Sequence, residues 1–153
     1  YLRFGRPKVP NFTPEQNSFQ IGKGIKMIEG SDVSIVATGH LVWESLKAAE
    51  ILSDKGISVE VINIHTIKPL DDEIILNSVS KTKAIVTAEE HNIYGGLGES
   101  VSRILSTNLP TPQEFVGTND TFGESGTPIQ LMNKYGLNAE NIISKAEKVI
   151  ARK

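Results

Sequence analysis

The stretch from Val86 to Glu99, V-T-A-E-E-H-N-I-Y-G-G-L-G-E, limits the folds open to this chain more than any other. The short apolar run Ala84 to Ala88 ends in Glu89-Glu90-His91. A turn holding Gly95, Gly96 and Gly98 then opens a segment with Val101, Ile104 and Leu105 on one helical face. A strand that carries two carboxylates and an imidazole to its end and turns sharply into a helix is a βα unit. In open α/β sheets the carboxyl edge of such units faces ligands or partner domains.

The rest of the chain repeats that alternation. Val33 to Gly39 is a buried strand running into a turn, and Ile57 to Ile64 and Glu114 to Val116 read as further strands. Ser18 to Glu29, with Ile21, Ile25, Met27 and Ile28 around two glycines, reads as an edge strand or hairpin arm. Between them, Val42, Leu46, Ala49 and Leu52 share one face of a helix from Leu41 to Lys55, stopped by Gly56. Asp71-Asp72 after Pro69 starts a short helix where its dipole favours negative charge. Thr127-Pro128 starts another in the N-cap and N1 pattern, and Asn138 caps the last, with Ile142, Ala146, Val149 and Ile150 on one face. Connectors this short between alternating elements predict an α/β sandwich, with a largely parallel sheet and helices on both faces.

The 153 residues are one ordinary domain by length. Sixteen basic against eighteen acidic side chains argue against a general attraction to nucleic acid. No apolar run approaches the roughly 18 residues of a membrane span, so no membrane partner is expected. The absence of cysteine excludes disulfides, thiolate metal sites and cysteine nucleophiles within this sequence, and fits a cytoplasmic location. Pro7 to Asn17 holds three prolines and no apolar period, which reads as a linker. Residues 1–17 are therefore expected to be the end of a preceding domain and its connector, and residues 18–153 the folded C-terminal domain of a longer protein.

Three places invite chemistry. Gly95-Gly96-Leu97-Gly98 suits a phosphate loop, since glycines at a helix start let backbone N–H groups approach an anion. It lacks the spacing of either nucleotide fingerprint, and the plainer reading is a tight strand-to-helix turn. Glu89, Glu90 and His91 suit acid–base or metal chemistry, but neighbouring strand residues point to opposite faces. His40 and His65 also follow strand ends, so a histidine cluster with His91 at one sheet edge is the sharper possibility, and loop-fixing hydrogen bonds at an interface the plainer one. Arg3, Arg6 and Lys8 form a basic entry, and an arginine fork there suits a phosphorylated substrate. Ser125 lies in Phe122-Gly123-Glu124-Ser125-Gly126, which is not a nucleophile elbow, so that loop is expected to position the helix after it.

The chain resembles the C-terminal part of transketolase, most closely the short or split bacterial and archaeal type. The resemblance rests on Arg6-Pro7-Lys8-Val9-Pro10, His65-Thr66-Ile67-Lys68-Pro69-Leu70-Asp71, Glu89-Glu90-His91 with Gly95-Gly96-Leu97-Gly98, and Phe122-Gly123-Glu124-Ser125-Gly126 with Lys134-Tyr135-Gly136-Leu137, in that order. It implies an α/β/α sandwich around a five-stranded mixed sheet whose first strand, near Ile25 to Glu29, is antiparallel to the others. It further implies a dimeric enzyme that transfers a two-carbon ketol unit between ketose and aldose phosphates. Thiamine diphosphate and Mg²⁺ would be held by N-terminal domains or a separate subunit and not by this part. Arg6, four residues before Pro10, matches the family's substrate-phosphate arginine. Glu89, Glu90, His91, Gly95, Gly96 and Gly98 are expected to shape an interface loop. The alternatives are the corresponding domain of 1-deoxyxylulose-5-phosphate synthase, a 2-oxo acid dehydrogenase β subunit, or a non-catalytic binding module.

Overall fold

The computed structural model describes residues 9–13 and 19–153. Its elements run β1 (Ile25–Ile28), β2 (Val33–Ala37), α1 (Leu41–Asp54), β3 (Val59–Asn63), α2 (Asp72–Thr82), β4 (Ile85–Asn92), α3 (Leu97–Asn108), β5 (Gln113–Thr118), α4 (Pro128–Lys134) and α5 (Ala139–Ile150). The strands form one sheet in the order β1-β3-β2-β4-β5. β1 pairs antiparallel with β3, with Ile25 opposite Asn63, and every other pairing is parallel. This is the mixed sheet expected from the sequence. The hairpin-arm alternative for Ser18 to Glu29 is not adopted, because β1 pairs with β3 and not with its own flank.

Helices cover both faces of the sheet. All five residues of β2, including Ser34, are buried, as a central strand between two helical layers requires. On one side, Leu41, Ala48 and Leu52 of α1 pack with Ile142, Ala146 and Val149 of α5 against Val33, Ile35 and Val86. On the other, Ile75 and Val79 of α2 meet Val101 and Ile104 of α3 over Val36, Ile62 and Ile85. The connection from β2 goes to β3 on one side and that from β4 goes to β5 on the other. The chain thus reverses direction at the carboxyl edges of β2 and β4, where open α/β sheets place their crevice.

Local chemistry fixes the helix starts. The Asp71 side chain accepts from the Ile74 amide at 3.3 Å and from the Gly24 amide at 2.9 Å, tying the approach to β1 onto α2. Thr127 and Gln130 cap α4 reciprocally, and the Asn138 side chain accepts from the Asn141 amide at 3.0 Å. Under α2, Ser34 hydrogen-bonds Ser78 and Thr82 at 2.6 Å each, so its buried hydroxyl is satisfied. The wholly buried Glu60 of β3 pairs with Lys81 of α2, which fixes that helix to the sheet. Phe12 stacks on Trp43 of α1, with ring centroids 6.1 Å apart, and so lays residues 9–13 along that helix. No helix among the described residues is long and apolar enough to cross a membrane.

Candidate functional site

The end of β4 organises the carboxyl edge of the sheet. The strand runs on to Asn92, past the Ala88 boundary that its apolar run suggests, with a register irregularity against β5 between Ala88 and Asn92. Glu89 therefore lies within the strand and points inward, 4% exposed, while Glu90 and His91 are exposed. The three side chains do not converge.

Glu89 spends both oxygens on the turn that follows. Oε2 accepts from the Leu97 amide at 2.7 Å and Oε1 from the Gly98 amide at 2.8 Å. These are first-turn donors of α3, whose N-cap Gly96 has no side chain to offer. A carboxylate carried by the preceding strand thus caps the helix and meets the positive end of its dipole. The glycines are explained one by one. Gly95 takes φ +76°, in the left-handed region. A Cβ on Gly96 would overlap the Glu89 carboxylate, and one on Gly98 would sit 2.6 Å from the Phe115 ring. The place where a phosphate loop would bind its anion is filled by the protein's own carboxylate.

The outer residues lock neighbouring loops. The His91 Nδ1 donates to the Asn92 carbonyl at 2.8 Å. Asn92 donates to Asp120 at 2.8 Å and accepts from the Tyr94 amide at 3.0 Å. His40 sits at the N-cap of α1 without a side-chain capping bond. His65, two residues beyond β3, bonds Thr66 Oγ1 through Nδ1 at 2.9 Å and lies under Phe19, with ring centroids 4.6 Å apart. Its buried Nε2 has no hydrogen-bond partner among the described residues. His40 and His65 follow the ends of β2 and β3 and His91 lies near the end of β4, with His65 and His91 each bonded to a sequence neighbour. Among the described residues no group of three or more His, Asp or Glu is arranged to hold a metal ion. The metal-cluster possibility is not realised there. Ser125 is exposed in the loop before α4, and the Tyr135 hydroxyl donates to the Phe122 carbonyl at 3.2 Å, which pins that loop to the end of the helix. Arg6 lies outside the described residues.

The sequence pattern of the family "Transketolase, C-terminal domain" matches residues 22–142. The chain belongs to this family. It is similar to the 6-deoxy-6-sulfo-D-fructose transketolase subunit of Clostridium sp. strain MSTE9, with 44% identity over the whole chain and 48% of that protein. A putative transketolase C-terminal section from Methanocaldococcus jannaschii is 43% identical over 86% of the chain and 41% of its own length. A solved structure described as a split gene transketolase, inactive β4 tetramer, superposes with a TM-score of 0.90 at 41% identity, over 94% of this chain and 47% of that one. The chain spans about half the length of these relatives.

Membership brings thiamine diphosphate and a divalent metal into question. The described residues of this transketolase C-terminal domain do not fit them. They assemble no cation-holding group, and the α3 amides that would cradle a diphosphate are already bonded to Glu89. Sequence reasoning missed Glu89 as a cap because its donors lie eight and nine residues ahead. The usable signal was an acidic residue at a strand end just before a glycine turn.

Proposed function

We propose that this chain is the C-terminal domain of a thiamine-diphosphate- and Mg²⁺-dependent transketolase. That enzyme moves a two-carbon ketol unit from a ketose phosphate to an aldose phosphate. Residues 18–153 are the domain, and residues 1–17 are the end of a preceding domain with its linker. The domain contributes to a homodimer with N-terminal domains or a separate subunit, which supply the cofactor site. Arg6 holds the substrate phosphate through its guanidinium fork. The observation that supports the reading best is the high identity to a transketolase subunit along the whole chain. The inward use of Glu89 supports it too, since it leaves the most conspicuous motif of the sequence with a structural task.

The test is turnover by the complete enzyme, with any partner subunit, supplied with thiamine diphosphate and Mg²⁺. Xylulose 5-phosphate and ribose 5-phosphate should give sedoheptulose 7-phosphate and glyceraldehyde 3-phosphate. Failure of that transfer, with formation of 1-deoxyxylulose 5-phosphate from pyruvate and glyceraldehyde 3-phosphate, would replace transketolase by the synthase.

A further inference from the structure

Most lysines and arginines of the described residues reach a carboxylate within 4 Å. The exceptions among those residues are Lys68, Lys83, Arg103 and Lys153. Two of them, Lys68 and Arg103, line one cleft of about 530 Å³. Lys68 comes from the loop after β3, and Arg103 from the second turn of α3. Ile67, Pro69 and Leu70 supply an apolar wall, Ser100 a hydroxyl and Asp72 one negative charge. Asp72 stands in the first turn of α2, where the helix dipole already favours it, so the cleft keeps an excess positive charge. The walls also include Gly95 from the turn after β4, which places the cleft next to the point where the sheet reverses direction.

We propose that this cleft binds a small phosphomonoester. The amides that would bind an anion in such a fold are taken by Glu89, so recognition passes to side chains one turn further along α3. An arginine fork and a lysine ammonium from two different elements suit a phosphate dianion, and the apolar wall suits its carbon body. The volume is that of a small-metabolite site. The proposal rests on Lys68 and Arg103 and does not depend on the transferase reading.

The experiment is calorimetric titration of the full-length protein with inorganic phosphate, at ionic strength held constant with chloride. Variants Lys68→Gln, Arg103→Gln and the double variant are compared with Lys153→Gln, an exposed charge outside the cleft. Both cleft side chains are exposed, so their thermal midpoints should stay within the spread of ordinary surface substitutions. A saturable phosphate site should weaken by roughly tenfold or more in the double variant, the scale of lost charged hydrogen bonds, and persist in Lys153→Gln. Phosphate binding that the double variant leaves unchanged would overturn the proposal. So would a wild-type protein that binds only when its subunits are dissociated, since an acidic group of a partner would then fill the cleft. Malonate binding as tightly as phosphate would replace the phosphomonoester by a carboxylate ligand.

Discussion

Glu89 and Glu90 are neighbours in sequence with opposite tasks, and the alternation of a strand decides between them. Glu89 turns inward and gives each oxygen to a backbone donor of α3, whereas Glu90 faces solvent. Glu89→Gln keeps the shape but replaces one acceptor oxygen by an amide that faces a donor. It should cost about 1–3 kcal/mol, the range for leaving a buried polar group unsatisfied. Glu90→Gln should stay within about 0.5 kcal/mol. Urea denaturation of the pair decides the assignment, and equal effects would remove the capping role. Gly96 belongs to the same unit, since any side chain there displaces the carboxylate it caps with. On the role proposed for Arg6, Arg6→Ala in the complete enzyme should raise KM for phosphorylated sugars far more than for unphosphorylated ones, because the partner lost would be the phosphate. Similar changes for both classes would take Arg6 out of the substrate site.

Among the elements, α5 is held to edge strand β5 by charge as well as by apolar packing. The Glu114 carboxylate, mostly buried, meets Lys145 at 3.1 Å, Lys148 at 3.0 Å and Arg152 at 2.5 Å. Burial alone would push its pKa up, but hydrogen bonds from Lys148 and Lys145 outweigh burial and hold it below the usual carboxylate value. A carboxylate lowered in the folded state adds stability above its unfolded pKa, and that contribution is lost as pH falls through the folded one. Glu114→Gln should therefore destabilise the protein at pH 7 by about 1–2 kcal/mol. The gap between variant and wild type in urea midpoints should close as the pH is lowered below about 4. A gap that stays constant into acid would mean that packing, not charge, is at work. The helices themselves were legible because their ends carry chemistry: Asp71, Thr127 and Asn138 all cap where the sequence places them. The end of β4 was less legible. Glu-Glu-His-Asn has no apolar run; pairing of Asn92 with Thr118 on β5, the Ile93 amide bond to the Thr118 carbonyl and the inward bonds of Glu89 hold it extended. The histidines were legible as strand-end residues but not as separate ones, since local partners such as Thr66 and the Asn92 carbonyl are set by loop geometry.

For the whole molecule, the proposed division of labour can be tested against what the described fold finishes and what it leaves open. Two packed cores, one on each face of the sheet, give the chain what an independent folding unit needs. The edge at the ends of the parallel strands is less complete. Phe122 is 98% exposed, Ile129 is 74% exposed, and α4 buries no residue. The proposed assembly would cover these side chains. The stretch 18–153, produced alone, should therefore unfold cooperatively in urea and sediment as a species larger than a monomer. With thiamine diphosphate and Mg²⁺ it should transfer no ketol unit, because in the proposed reading the cofactor site belongs to N-terminal domains or a separate subunit. Adding the complementary part of the protein should restore transfer. Turnover by the isolated stretch would contradict this division. A monomer with no turnover would keep the division but assign the open edge to the proposed N-terminal domains or subunit in place of a second copy.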